Sequence, residues 1–264
     1  MKLTTPIAIG NTAEVYDYEP GWILKLFKER FTRGAVEYEF NINRAVEQAG
    51  IPVPKTGAAI IEIDGRFGIL YEKIDGQPMA QMLKTQPWKL FEFARKMAEL
   101  HVRMHAEPMA AVGIPSAGDR NRWKIEHAEV LSDAVKEAAL EALESMPKGD
   151  RLCHGDFHLE NILIQNDAEY IIDWVDAMIG SPMMDVARSS ITLQGEAATQ
   201  DSWIIRQLLK IMDAVYVRHY FRLSSGDRDE FERWLPILAA GRLCEGLDYQ
   251  QDWLMAQAEK LLVP

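Results

Sequence analysis

Across residues 7–71, short apolar runs (7–9, 14–18, 22–27, 60–63 and 67–71) alternate with polar or glycine-bearing turns, the pattern of half-buried strands. Residues 34–49 break this pattern with helical spacing. That helix is expected to stop at Gly50, because Ile51-Pro-Val-Pro54 follows; each proline lacks a donor and pushes its predecessor toward extended backbone. After Asp75-Gly-Gln-Pro78 the period changes. Leu90, Ala94, Met97, Ala98, His101 and Met104 recur three and four apart and predict a core helix. A second helix is expected over 122–145, ended by Pro147-Lys-Gly149, and others over 202–223, 228–240 and 244–262. Between them, two short apolar strands, 162–164 and 170–172, flank the polar turn Gln165-Asn-Asp-Ala168 and read as a hairpin. The chain is therefore expected to be α+β, with a strand-rich N-terminal lobe over 1–74 and a larger, mainly helical C-terminal lobe over 75–264. Ligands favour the interface of two such lobes.

A chain of 264 residues with 48% hydrophobic content has ample material for a buried core. It has neither a basic N-terminal region leading into an apolar stretch nor a run of about eighteen apolar residues, so no membrane partner and a cytoplasmic location are expected. Cys153 and Cys244 match no paired metal spacing, in keeping with packed thiols in a reducing compartment. The formal charge of -11 argues against a nucleic-acid partner, which needs clustered Lys and Arg. The same acidity would attract a cationic small molecule at long range. Nothing in the pattern specifies an oligomer.

The candidate chemistry lies at the flanks of the hairpin. His154-Gly-Asp-Phe-His-Leu-Glu-Asn161, followed twelve residues later by Asp173, sets two carboxylates and an amide where a metal-bound nucleotide phosphate would sit. Asp156 is the candidate proton acceptor on a short loop. Asn161 precedes one strand and Asp173 follows the next, so the hairpin would bring both ends together. Any one of these residues suits a turn; their joint spacing points to phosphoryl transfer. The segment His154-x-Asp156-x-His158 also offers three ligands on one face of an extended chain, the reading of a metal-dependent hydrolase. That reading leaves Asn161 and the first lobe unused, and His154 is more simply a packed residue that bonds the backbone and fixes the loop.

These residues resemble a known family. Leu152-Cys-His-Gly-Asp-Phe-His-Leu-Glu-Asn-Ile-Leu163 with Ile171-Ile-Asp-Trp174 is similar to the aminoglycoside phosphotransferase and choline kinase group, small-molecule relatives of the protein kinases. Asp176-Ala-Met-Ile-Gly-Ser-Pro-Met-Met-Asp-Val-Ala187 is similar to that group's segment ending Gly-x-Pro-x-x-Asp-Leu-Ala. The likeness spans most of the chain and is weakest near its end; Leu159-Glu160 departs from the group's common Pro-Gly pair. The resemblance implies a bilobal protein-kinase-like fold with a small antiparallel-sheet N-lobe and ATP and Mg2+ as cofactors. It also implies Asp156 as catalytic base, with Asn161 and Asp173 holding magnesium. By the same resemblance Glu39 pairs with Lys25, Glu37 being the alternative register, and backbone groups from Glu72 to Ile74 meet adenine.

Lys25, set among apolar neighbours in Trp22-Ile-Leu-Lys-Leu-Phe27, reads as a strand lysine contacting phosphate. Gly10 and Asn11 occupy a turn whose backbone donors suit phosphates, although a lone glycine there is also an ordinary hairpin, and no Walker-type loop occurs. The partner is expected to be a small molecule with a hydroxyl acceptor, first a cationic aminoglycoside-like sugar or amino-alcohol. Homoserine, a methylthio-sugar, a macrolide and a glycated amine are compatible alternatives. Glu245, Tyr249, Asp252 and Trp253 are expected on one acidic, aromatic face of the last helix, with Glu160 and Asp176 as further acceptor contacts. A non-catalytic nucleotide-binding protein would be expected to lack one of Asp156, Asn161 and Asp173, and all are present. Asp185 is expected to cap a helix, and His101 and His105 to be satisfied interior residues.

Overall fold

The strand alternation of the N-terminal segment builds an antiparallel sheet from β1 (Ala8–Ile9), β2 (Ala13–Glu19), β3 (Trp22–Phe27), β4 (Ile61–Ile63) and β5 (Arg66–Glu72), in the order β1-β2-β3-β5-β4. The computed structural model describes residues 3, 5–10, 12–106, 109 and 113–263. A strand period of two sends Leu24 and Leu26 of β3 to one face, where they pack with Tyr16, and Phe27 to the other, against Ala13, Val36 and Ile69. The helix α1 (Arg33–Gln48) lays Val36, Glu39, Ile42, Asn43 and Val46 inward, the three-and-four spacing of a buried stripe. Thr32 caps it through its hydroxyl, and Gly50 leaves it with φ +75.

Five short strands follow: β6 (Gln77–Pro78), β7 (Arg151–Cys153), β8 (Ile162–Gln165), β9 (Ala168–Ile171) and β10 (Met178–Gly180). They form the antiparallel sheets β6-β8-β9 and β10-β7. The β8–β9 turn takes Asn166 and Asp167 through left-handed backbone, φ 49 and 65, which twists the hairpin in the sense strands prefer. The expected hairpin is therefore present.

The helices after α1 are α2 (Met79–Thr85), α3 (Leu90–Met104), α4 (Ala117–Glu126), α5 (Asp133–Glu144), α6 (Pro182–Thr199), α7 (Trp203–Leu223), α8 (Arg228–Arg242) and α9 (Gln251–Ala258). α3 buries Phe93, Ala94, Met97, Ala98, His101 and Met104, as its periodicity predicts. No helix among the described residues is long and apolar enough to cross a membrane.

The structure differs from the sequence reading in four places. Residues 75–78 do not merely break the chain: Gln77 and Pro78 pair with Ile164 and Leu163. The single helix expected over 122–145 is two, because the Ser116 and Ser132 side chains each cap a new start. The helix expected over 244–262 is interrupted at Gly246, φ +68, and only Gln251–Ala258 is α-helical. The chain divides into compact units of Met1–Gln81 with Glu160–Val175, and of Met82–Leu159 with Asp176–Pro264, not at residue 74. The β8–β9 hairpin folds with the first unit, where β8 bonds β6 and the Ile171 amide donates to the Pro52 carbonyl.

Candidate active site

In the first unit, strand periodicity turns Lys25 toward the side of β3 on which α1 packs. The Lys25 ammonium donates to Glu39 Oε1 at 2.7 Å and lies 3.6 Å from Asp173 Oδ1. Burial alone would lower the Lys25 pKa, but the charges of Glu39 and Asp173 outweigh it and raise the value, so the ammonium persists. Glu39 is 3% exposed and also accepts from the Tyr71 hydroxyl at 3.3 Å. The alternative partner, Glu37, bonds Arg33 at 2.8 Å on the outer face of α1, so the register is settled in favour of Glu39.

Asn161 and Asp173 are brought together as the hairpin predicts. Ile162 pairs with Ile171, and the Ile172 amide donates to the Asn161 carbonyl at 3.0 Å. Asp173 holds φ +65, a left-handed conformation rare for a residue with a side chain and common at functional turns. Its side chain is half exposed, while Asn161 is buried.

In the second unit, the loop after β7 is fixed from below. The fully buried Asp185 carboxylate accepts from the His154 amide at 2.6 Å and the Gly155 amide at 2.8 Å, and bonds His101 Nε2 at 2.9 Å and His105 Nε2 at 3.3 Å. Desolvation pushes its pKa up, yet the two histidines bring it well below the ordinary value. Gly155 turns with φ +78, and a Cβ there would stand 2.3 Å from the Asp176 carbonyl oxygen, so no other residue fits. The Asp156 amide donates to His154 Nδ1 at 3.2 Å, giving His154 the loop-shaping role expected of it. Asp156 itself meets His158 Nε2 at 3.3 Å and Arg188 Nη2 at 3.3 Å. Burial would raise its pKa, but the His158 hydrogen bond and the Arg188 charge hold it well below the usual carboxylate range.

With this geometry in place, comparison with known proteins decides the family. The family model described as APH, phosphotransferase enzyme family, matches residues 4–210. The chain belongs to the APH phosphotransferase family. Among curated proteins, acyl-CoA dehydrogenase family member 10 of Mus musculus is 25% identical over 183 residues, covering 60% of this chain and 17% of that much longer protein. Among solved structures, a thermostable mutant of aminoglycoside phosphotransferase APH(4)-Ia, in a ternary complex with AMP-PNP and hygromycin B, superposes with TM-score 0.68 at 17% identity over 98% of this chain and 92% of that one. A choline/ethanolamine kinase family protein from Mesorhizobium loti gives 0.62 at 17% identity, over 100% and 89% of the two chains. Amicoumacin kinase hAmiN, in complex with AMP-PNP, Ca2+ and Ami, gives 0.66 at 14% identity, over 97% and 87%. These likenesses establish the protein-kinase-like α+β fold.

Other expected sites of this APH-family chain fare unevenly. The Gly10 amide closes a tight turn onto the Ala13 carbonyl at 2.8 Å, and Asn11 lies outside the described residues. The Glu72 and Lys73 amides, two of the backbone groups expected to meet adenine, donate to the Lys55 and Gly21 carbonyls. Glu245 and Tyr249 do not share a helix face, because Gly246 breaks the helix between them. Tyr249 is exposed and donates to Glu196 at 2.8 Å, whereas Glu245 is drawn inward by Lys124 and Arg188, both at 2.9 Å. Asp176 is bound by Arg120 and Lys124, and Glu160 is exposed.

The sequence reading also passed over Arg188 and underrated Asp185. The cap of α6 is the Ser181 hydroxyl, leaving Asp185 inside the first turn to hold the loop. Their i,i+3 spacing on one helix was the available signal. His101 and His105 are interior as expected, bonding the Tyr216 and Tyr220 hydroxyls. With Asp185 they are the one acid–imidazole group among the described residues whose ligand atoms lie within 4.8 Å of one another. His154, Asp156 and His158 are not gathered in this way.

Proposed function

We propose that this phosphotransferase is an ATP-dependent small-molecule kinase that moves the terminal phosphoryl group to a hydroxyl. The observation that carries the reading is the Lys25 ammonium, fixed by Glu39 and set 3.6 Å from Asp173. A held cation beside a half-exposed carboxylate matches what a nucleotide phosphate and its metal require. Relatives in complexes with AMP-PNP, in one case with Ca2+, support a nucleoside triphosphate and a divalent cation as ligands.

The donor set fits magnesium: Asp173 offers a carboxylate and Asn161 an amide oxygen, hard ligands that phosphate oxygens and water would complete. When bound, that ion would neutralise phosphate charge. The chain's own residues supply the remainder. Lys25, held protonated, grips phosphate oxygens, and the Ile74 backbone receives adenine. Asp156 orients the acceptor hydroxyl. Because its pKa is depressed, it is a weak base in the resting protein; it takes the proton late, as the phosphoryl group loosens and the hydroxyl becomes acidic. Rate enhancement then comes from alignment and charge neutralisation, with no covalent intermediate on the protein.

The test is incubation of the purified chain with ATP, magnesium and a library of hydroxyl compounds, with ADP and product mass measured. ATP-dependent appearance of a phosphorylated product, lost in Asp156→Ala, supports the reading. Phosphoester cleavage without ATP would overturn it.

A further inference from the structure

Of the large apolar side chains that stay exposed among the described residues, five gather at one end of a helix pair in the second unit. α3 and α7 pack together and run parallel: His101 bonds Tyr216 and His105 bonds Tyr220, each partner 115 residues further on. The same separation sets Trp88 at the level of Trp203, so the start of α3, with the turn Pro87–Lys89 before it, lies beside the start of α7. There Trp88, Phe91, Trp203, Ile204 and Ile205 are between 46% and 73% exposed. The first turn of an exposed helix ordinarily favours Asp and Glu, whereas α7 opens with Trp-Ile-Ile after its Ser202 cap and has no acid in that turn.

The surroundings are basic in an acidic protein. Residues 84–104 and 203–223 hold nine Lys and Arg against three Asp and Glu, in a chain whose totals are 29 against 40. Lys89, Arg95, Arg206 and Lys210 stand within about two helical turns of the apolar end. Of the three acids, Asp213 is bonded to Ser190 and Gln194, and Glu92 and Glu99 lie beside Lys89 and His219. Tryptophan accompanied by Lys and Arg is the composition of an interfacial helix: the rings settle at headgroup level, apolar neighbours reach the acyl boundary, and the cations meet anionic headgroups. The negative charge of the rest of the chain does not cancel this attraction. At physiological salt a charge acts over about 8 Å, so only the facing surface is felt.

We infer that this end of the α3 and α7 pair is a docking surface for an anionic phospholipid bilayer, on which the protein lies without spanning it. The sequence expectation of no membrane partner rested on spans, and an interfacial contact requires none. A second copy of the chain is disfavoured as occupant, because a two-fold contact through this surface would set Lys89, Arg206 and Lys210 against their own counterparts. An acidic protein would have to match two separate indoles by shape, whereas a lipid interface accommodates them at any spacing. The inference is independent of the phosphoryl-transfer reading.

The experiment is co-sedimentation of the full chain with vesicles of phosphatidylcholine alone and of phosphatidylcholine mixed equally with phosphatidylglycerol, at about 0.1 M and about 0.5 M salt. Binding to the anionic vesicles alone is expected, weakened at least about tenfold at the higher salt. Lys89→Gln and Lys210→Gln should each weaken it about fivefold, and Trp88→Ser and Trp203→Ser each at least about tenfold. Four separate surface positions guard against a folding defect in any one variant. No sedimentation up to about 1 mM lipid, equal binding to both kinds of vesicle, or binding that survives both Trp substitutions overturns the inference. A dimer in sedimentation velocity that Trp203→Ser dissolves also overturns it, by making a second copy the occupant. So does binding of soluble polyglutamate in place of vesicles, which would make the occupant an acidic protein.

Discussion

Arg188 holds Asp156 from the side, its Nη2 3.3 Å from the carboxylate and its Nε bonded to the preceding Gly155 carbonyl at 2.8 Å. One buried guanidinium therefore both shapes the turn and sets the charge on the candidate base. Burial favours the protonated carboxyl, and His158 and Arg188 together overcome it.

Replacing Arg188 should expose that balance in the pH profile. Asp156 is ionised above its depressed pKa, and activity falls as pH drops through it. In Arg188→Met the burial cost is less opposed, so the pKa rises and the acid limb of kcat/KM moves to higher pH. An acid limb at the wild-type position, in a variant shown to be folded, would remove Arg188 from the control of Asp156.

Removing the base should separate chemistry from binding. Asp156→Ala is expected to lower kcat about 10²–10⁴-fold while nucleotide affinity, measured by titration, stays near the wild-type value. Wild-type turnover in this variant would exclude Asp156 from the reaction.

Asp173→Ala should act on the metal. It is expected to weaken nucleotide binding and to raise the magnesium concentration needed for half-maximal rate, because the half-exposed carboxylate beside Lys25 is the candidate ligand. An unchanged magnesium dependence would count against that role.

Asp185 should matter for stability. Its loss leaves the His154 and Gly155 amides without their buried acceptor and the two histidines without a hydrogen-bond partner at Nε2. Asp185→Ala is expected to cost about 3–5 kcal/mol in urea unfolding, with Asp185→Asn less damaging. A loss below about 1 kcal/mol would mean that the loop holds without it.

What the sequence revealed was what local chemistry dictates. Strand alternation placed Lys25 opposite its neighbours Leu24 and Leu26, and the polar turn at Asn166 and Asp167 announced the hairpin that joins Asn161 to Asp173. The choice between Glu39 and Glu37 stayed open in the sequence and is made by the helix register, which buries Glu39 beside Val36 and Ile42. Contacts distant in sequence were not legible. Arg188 meets Glu245 across fifty-seven residues, and nothing in the spacing of either foretells the pair. Helix breaks were read late for a related reason: Ser132 and Gly246 act through a hydroxyl and a left-handed φ, which apolar periodicity does not register.

The central claim is that Lys25, fixed by Glu39, marks a nucleotide site in a working kinase. Titration of the purified chain with ATP, with and without magnesium, in wild type and Lys25→Ala, tests it most directly. Saturable, magnesium-enhanced binding that weakens at least about tenfold in Lys25→Ala is the predicted result. Binding of equal strength in the two proteins, or none in either, would contradict the account.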